Sequence, residues 1–386
     1  MPQHLIYLDN AATSHPKPDT VYQAVTAALR AGGNPGRGGH RLALAAGRRV
    51  LAAREALASL LNAPDASRVL FTSSCTDSLN LALKGLLRPG DHVVTTALEH
   101  NALRRPLSAL ERQGIAVTRV LGGPDGRIDP DAVRTALRPK TRLIALAHAS
   151  NVSGAIQPVA EIGELARQAG VFFLVDAAQT AGAVPIDMQQ MGIHLLAAPG
   201  HKGLLGPQGT GILCVDPAVP LKPIREGGTG SRSSEEAQPD AFPEGFESGT
   251  LNLPGIAGLT AGVAFVHEKG VEQIRQHELQ LTEQLAEGLR GIAGVTVYGP
   301  TNPAHRAAVI AFGIEGIDPG EVEELLDDRF GVTGRAGLHC NPGCHARLGT
   351  LSGGGAMRLS PGVNTTDADI AEAVRAVAAL AALRRD

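Results

Sequence analysis

Three short stretches carry the residues best suited to chemistry. In FFLVDAAQ, Asp176 ends an almost wholly apolar run, where a carboxylate is costly to bury unless it meets a cation or hydrogen-bond donors. PGHKGLLGPQGTG sets His201 and Lys202 in a glycine-flanked turn just after the next apolar run. FTSSCTDSLN reads as a strand, a small polar turn and a helix start, so backbone N–H groups and the hydroxyls of Ser73, Ser74 and Thr76 gather where an anion can bind. In open α/β sheets ligands bind outside the carboxyl ends of the strands, which puts Asp176 and Lys202 on one crevice. A carboxylate beneath a ring nitrogen and a lysine able to form a Schiff base are what a pyridoxal phosphate site must supply, and the polar turn offers a place for the phosphate. Two plainer readings stand beside this one: a buried Asp–Lys ion pair, and ordinary N-capping by serine or threonine. Neither GxxxxGK(S/T) nor GxGxxG after the first strand occurs, so nucleotide binding loses its usual support.

A second group lies near the C-terminus. Cys340 sits in RAGLHCNPGCH, a Gly/Pro-rich segment that reads as a loop, with Arg335 and His339 close enough in sequence to favour its thiolate. Arg358 lies between Gly353-Gly354-Gly355 and Ser360-Pro361-Gly362; its planar fork suits a carboxylate in an active-site loop, and a surface salt bridge is the plain alternative. Cys344 follows four residues after Cys340, with Pro342 and Gly343 between them favouring a turn. The two thiols could then meet as a redox pair, or Cys344 could simply fill a gap. His339, Cys340, Cys344 and His345 also offer zinc-type donors, although four ligands within seven residues would strain a tetrahedral site. Cys75, at a helix start that would lower its pKa, is the fallback nucleophile, and Cys214 in GILCV reads as core.

These residues need a frame. Apolar runs at residues 69–71, 92–96, 116–120, 142–147, 171–175, 194–198 and 210–215 read as strands. Helical patterns at 78–87, 101–113, 130–137 and 158–169 fall between most of them, the alternation that builds a mostly parallel sheet flanked by helices. Residues 221–255 break into a Gly/Ser/Pro/Glu-rich stretch too long for an ordinary connection, which points to a functional loop. Beyond it, a helix at 271–289, strands at 295–298 and 308–312, a helix at 319–328 and an Ala-rich amphipathic tail indicate a smaller α+β domain. The expected fold class is α/β, with a large cofactor-binding domain over residues 16–257 and a small domain formed by 1–15 and 258–386.

Composition narrows the function classes. The chain has 386 residues, 43% of them hydrophobic, enough for a sizeable core, so intrinsic disorder is excluded. A net charge of -3 without a basic block gives no attraction for nucleic acid or anionic lipid. No apolar run reaches roughly 18 residues, and the N-terminus lacks a secretion signal, so a membrane span and export are not expected. Four cysteines are too few and too scattered for a disulfide framework, which favours a reducing cytoplasm.

LDNAAT, NPGRGGHRLA, FTSSCTDSLN, LEHNA, HASNVSG, LVDAAQTAG, PGHKGLLGPQGTG, EGGTGSRS, FESGTLN, RAGLHCNPG and MRLSPGVNTT follow one another along nearly the whole chain. In that order they resemble the cysteine desulfurases and selenocysteine lyases, fold-type I pyridoxal phosphate enzymes of the class V aminotransferase group. The resemblance implies that Lys202 holds the cofactor as a Schiff base, Asp176 bonds the ring nitrogen, Gln179 bonds the phenolic oxygen and His100 stacks on the ring as a catalytic group. It places Asn151 beside the ring and substrate, and Thr76, His201 and the Ser74–Cys75 turn at the phosphate, with Thr250 supplied by a second subunit of a homodimer. Arg358 would clamp the substrate carboxylate and Cys340 would accept sulfur from L-cysteine, or selenium from selenocysteine, and pass it to a sulfur-acceptor protein. A selenocysteine lyase, or an aminotransferase or lyase that leaves Cys340 unused, remains an alternative. Pro199 replaces a phosphate-binding serine of many relatives, and Gly334 replaces a β-branched residue, which leaves the cysteine loop less firmly held in this reading.

Overall fold

The protein is described by a computed structural model covering residues 5–36 and 38–383; Arg37 of NPGRGGHRLA and the last residues of the C-terminal pattern lie outside these. Strand β1 (Ile6–Tyr7) leads into α1 (Asp19–Ala31) and α2 (Arg41–Leu61). There follow β2 (Val69–Thr72), α3 (Cys75–Leu86), β3 (His92–Thr96), α4 (Asn101–Glu111), β4 (Ala116–Val120), α5 (Pro130–Ala136) and β5 (Thr141–Ala147). Next come α6 (Val159–Ala169), β6 (Phe172–Asp176), β7 (Leu195–Pro199) and β8 (Gly211–Val215). These strands form one seven-stranded sheet, ordered β2-β8-β7-β6-β5-β3-β4, parallel throughout except that β8 runs antiparallel to both neighbours. All seven expected strands are present to within a residue or two.

The central strands read as unbroken apolar runs because both faces are buried. Phe71, Val94, Ile144, Phe173, Val175 and Leu196 pack on one face against α2, α6 and a further helix, α7 (Leu253–Lys269). Leu70, Val93, Leu143, Leu174, Leu195 and Leu213 pack on the other against α3 and α4. Helix α7 has no polar face and carries glycines where its neighbours come close. A Cβ on Gly262 would lie 2.4 Å from the carbonyl oxygen of Leu204, so only glycine lets α7 sit directly under the turn that carries Lys202.

The remaining elements are α8 (Val271–Arg290), β9 (Val295–Tyr298), β10 (Ile310–Ile314), α9 (Pro319–Phe330), β11 (Val332–Thr333), α10 (Pro342–Leu348), β12 (Met357–Leu359) and α11 (Asp367–Ala382). The antiparallel sheet β12-β10-β9 packs on α8, α9 and α11 around Phe312, Leu285 and Leu359. N-terminal β1 joins this part of the chain by pairing with β11. Residue 257 falls inside α7, which packs on α1 and α2 and continues to Lys269. Among the described residues no helix is long and apolar enough to cross a membrane.

The long stretch 221–255 is tethered at its far end. Glu247 takes both guanidinium nitrogens of Arg54 on α2, at 2.8 and 2.5 Å, and the backbone N–H of Phe71 at 2.6 Å, with both side chains almost fully buried. Removing one partner of such a pair leaves a buried charge uncompensated. Glu247→Ala is therefore expected to lower unfolding stability by about 3–5 kcal/mol, whereas the double change Arg54→Met, Glu247→Leu recovers most of the loss; urea unfolding of the three proteins measures this.

Candidate active site

Asp176 ends β6 and Lys202 follows β7, so sheet order alone brings them to the same edge. A cavity of about 230 Å³ opens there. Asp176 and Gln179 line it from the β6 end, Pro199, His201 and Lys202 from the next turn, and Ser74, Cys75 and Thr76 from the start of α3. His100 and Asn151 border it from the ends of β3 and β5, and Arg335, His339, Cys340, Asn341 and Arg358 close it from the C-terminal part of the chain. Thr250 does not line this cavity; it is exposed, just beyond tethered Glu247.

The Lys202 turn is held by its backbone. Ser14 Oγ donates to the Lys202 carbonyl at 3.0 Å, and Lys17 Nζ donates to the His201 carbonyl at 2.7 Å. Burial, with the Arg358 cation adding to it, lowers the Lys202 ammonium to about 8, which brings the free amine within reach near neutral pH. Asp176 Oδ1 accepts from the backbone N–H of Ala178 at 2.9 Å and from the Cys75 thiol at 3.4 Å. Burial and the Asp176 charge push that thiol well above its usual range, so Cys75, although it opens α3, is no activated nucleophile. Helix α3 starts three residues earlier than expected because Ser74 is its N-cap, accepting from Asp77 N–H at 3.2 Å; the capping and anion-site readings thus share one turn.

His100 caps α4, its Nδ1 accepting from Ala102 N–H at 3.0 Å, and also lines the cavity. Behind it, Glu99 is buried, accepting from Thr96 Oγ1 at 2.5 Å and Ala147 N–H at 2.9 Å; burial raises its carboxyl to about 8. Arg358 is no surface salt bridge. It is 2% exposed, on β12, and pairs with Asp9 at 2.5 Å while donating to the Asn151 carbonyl at 3.1 Å. Its Nε is buried with no partner, as is Nδ1 of His201. Both residues line the cavity, and an anionic ligand there would supply partners of the kind these two nitrogens lack.

The cysteine loop departs from expectation in three ways. His339 is neutral, lowered to about 3 chiefly by burial and next by Arg358, so it supplies no positive charge to favour the Cys340 thiolate. Gly334 does not loosen the loop: a Cβ there would lie 2.4 Å from Met357 Cε and 2.8 Å from the Arg358 carbonyl, so glycine is what lets the strand dock. Cys344 is fully buried against Val152, Ala311 and Ala356, its sulfur 3.6 Å from Ser150 Oγ, whereas Cys340 is exposed and faces the cavity. The two thiols occupy different environments, and among the described residues no group of three or more His, Cys, Asp or Glu is placed to hold a metal ion. Asp9 and Asn341 carried no signal in the sequence, and His345, a candidate zinc-type donor there, is instead hydrogen-bonded to His339 and Thr350.

The buried titratable groups set a pH profile. His148, His201 and His345 are lowered to about 4 and His339 to about 3, each chiefly by burial, while Glu99 and Glu278 are raised to about 8, again by burial. Between the ordinary imidazole value of 6.5 and the ordinary carboxyl value of 4.5 the unfolded chain binds the imidazole protons that the folded chain refuses, so stability falls as pH is lowered; the two carboxyls oppose this but are outnumbered. From 6.5 toward 8 the two carboxyls keep their protons in the folded state alone, so stability falls as pH rises, an effect that Lys202 and Lys17, both lowered to about 8 by burial, begin to offset as pH nears 8. Urea midpoints of the cofactor-free protein should peak near the middle of this range, and a monotonic profile from acid to alkaline pH would contradict the assignment.

The class-V aminotransferase family profile matches residues 6–372. A probable cysteine desulfurase of Methanothermobacter thermautotrophicus is 36% identical over 92% of this chain and 89% of its own length. Cysteine desulfurase IscS of Anaeromyxobacter dehalogenans is 38% identical over 74% of this chain and 68% of its own. Among solved structures, the cysteine desulfurase of Thermococcus onnurineus superposes with a TM-score of 0.91 at 31% identity, covering 98% of this chain and 95% of that one. Cysteine desulfurase CsdA of Escherichia coli gives 0.86 at 29%, with the same coverage. The chain belongs to the class-V aminotransferase family, where these sequence relatives and structural neighbours are cysteine desulfurases.

Proposed function

We propose that the protein is a pyridoxal phosphate-dependent cysteine desulfurase that converts L-cysteine to L-alanine and keeps the sulfur on Cys340 as a persulfide. The observation that carries this reading is that Lys202, Arg358 and Cys340 border one cavity although they come from three separate parts of the chain. The cavity suits the cofactor. Lys202 has a depressed pKa suited to covalent attachment, Asp176 offers a carboxylate to a ring nitrogen, and the unpaired His201 Nδ1 offers a donor to phosphate beside Thr76 and the Ser74–Cys75 turn. Gln179, His100 and Asn151 complete the binding set in this assignment. When bound, pyridoxal phosphate supplies the electron sink that makes proton loss from the substrate α-carbon feasible.

The chain's own residues do the rest. Arg358 orients the substrate by its carboxylate, taking it in place of or beside Asp9. Lys202 Nζ, once free, accepts the α-proton and returns it. His100, which lines the cavity, would be the second proton-handling group, its basicity lowered chiefly by burial. Cys340 Sγ, as thiolate, attacks the substrate sulfur: the new S–S bond forms as the C–S bond breaks, the electron pair stays with carbon, and one proton completes the methyl group of alanine.

The finer points belong to the same reading. The exposed position of Thr250, next to an anchored loop, supports a homodimer in which Thr250 reaches the partner's phosphate, and the exposed Leu42, Leu44 and Leu51 on α2 offer apolar surface for a second copy. The pairing of β1 with β11 supports grouping residues 1–15 with 258–386. All four cysteines are free, which suits a cytoplasmic enzyme whose Cys340 must stay reduced and hand sulfur to an acceptor protein. Incubation with L-cysteine and a thiol reductant tests the function: alanine and sulfide should appear in equal amounts, and formation of pyruvate or of a transamination product without sulfide would refute it.

A further inference from the structure

Cys340 is presented by an unusual turn. His339 and Cys340 both have left-handed backbones, with φ of 48° and 56°, a conformation that L-residues adopt only when their surroundings over-determine it. Part of the restraint is plain: the His339 carbonyl accepts from Asn151 Nδ2 at 2.7 Å and the Cys340 carbonyl from the Asn101 N–H at 2.9 Å. The rest comes from a chain of side chains behind the cavity. His339 Nε2 lies 3.0 Å from the carbonyl oxygen of Arg335; a carbonyl only accepts, so Nε2 carries the proton. Neutral His339 then has a bare Nδ1, which must accept from His345 Nε2 at 3.2 Å. His345 Nδ1 is bare in turn and accepts from Thr350 Oγ1 at 2.8 Å. Every proton in the relay Thr350, His345, His339, Arg335 is thereby assigned and points one way.

The relay joins the two working ends of the site. The Arg335 carbonyl that receives it also accepts the backbone N–H of Arg358 at 2.8 Å, in the bridge that carries the carboxylate clamp. His345 itself is wholly buried on α10, does not line the cavity and touches neither cofactor nor substrate space.

We propose that His345 is a positioning residue for sulfur transfer: by donating from Nε2 it fixes the tautomer of His339 and so holds the left-handed turn that aims Cys340 at the substrate. The role rests on the desulfurase reading, but the relay does not. Its removal frees the turn rather than the fold, so Cys340 becomes easier to reach from solvent and harder to bring to the substrate sulfur. Leucine at 345 keeps the volume and removes the donor. Glutamine puts an N–H near the position of Nε2 and restores it.

The test compares wild type, His345→Leu, His345→Gln and Thr350→Val as cofactor-loaded proteins, with the cofactor spectrum and thermal midpoint as controls on folding. Peptide mass mapping after iodoacetamide follows Cys340 alone, since Cys75, Cys214 and Cys344 are buried. For His345→Leu, kcat with L-cysteine should fall roughly 10- to 100-fold, the scale of a misplaced reacting group. KM should stay within about twofold because the clamp still binds substrate. Alkylation of Cys340 should accelerate severalfold in the same protein, the opposite direction to turnover. His345→Gln should recover most of both, and Thr350→Val, which only frees the His345 tautomer, should shift both the same way by less. If His345→Leu is too unstable to load cofactor, Thr350→Val decides alone. Unchanged alkylation and kcat, or a glutamine variant as impaired as the leucine one, would overturn the proposal. A wild type that forms no alanine would overturn the functional reading instead, and the alkylation rates would still settle the role of His345.

Discussion

Lys202→Ala should reduce turnover of L-cysteine to background, a loss of at least about 10,000-fold, because one change removes both the covalent tether of the cofactor and the group that moves the α-proton. Lys202 is the lysine that lines the cavity, its turn is fixed by Ser14 and Lys17 through backbone carbonyls, and its lowered pKa supplies the free amine. The fold should survive, since those contacts use the Lys202 and His201 main chain rather than the lysine side chain. Borohydride reduction of the loaded wild type followed by peptide mapping should place the label on Lys202, and a label on Lys17, which also sits nearby with a pKa lowered to about 8, would displace the assignment.

Cys340→Ser is expected to keep the bound cofactor and the spectral change on adding L-cysteine while sulfur transfer falls more than about 1,000-fold, the scale on which losing a covalent nucleophile acts. Proton abstraction at the α-carbon does not involve the thiol; cleavage of the C–S bond by attack on sulfur does. The structure leaves no substitute. Cys75 donates its S–H to Asp176 and is held protonated by burial, and Cys214 and Cys344 are buried away from the cavity. A Cys340→Ser protein that forms alanine and sulfide at the wild-type rate would show that the chemistry does not pass through this residue.

The strands of the seven-stranded sheet were legible because a doubly covered sheet writes itself as apolar runs, and β6 up to Asp176 and β7 up to the glycine-flanked Lys202 turn are such runs. Helix α7 was not, for a related reason: it is apolar along most of its length, so it lacks the period of a surface helix, and Gly255, Gly258 and Gly262 disguise it as loop when they in fact permit close packing. Residue types announced Lys202, Asp176, Cys340 and Arg358, each with a chemistry few other side chains provide. Pairings across the chain were silent. Nothing near Asp9 signals that it will meet Arg358 at 2.5 Å, and Glu247 reads as one acid among several until Arg54 is placed beside it. His339 shows the limit in the other direction: its position next to Cys340 suggested a cation, while burial among Arg358, Arg335 and His345 makes it neutral and turns it into part of the scaffold.

Above all, Cys340 takes the substrate sulfur in the cavity that holds Lys202. The intact mass and peptide map of the cofactor-loaded enzyme after a single turnover with L-cysteine and no reductant measure this transfer. One added sulfur atom per chain is expected, located on the peptide that contains Cys340, removed by a thiol reductant, and matched by one alanine released. Alanine formed with no mass added at Cys340, or with the sulfur on Cys75 or Cys344, would contradict it.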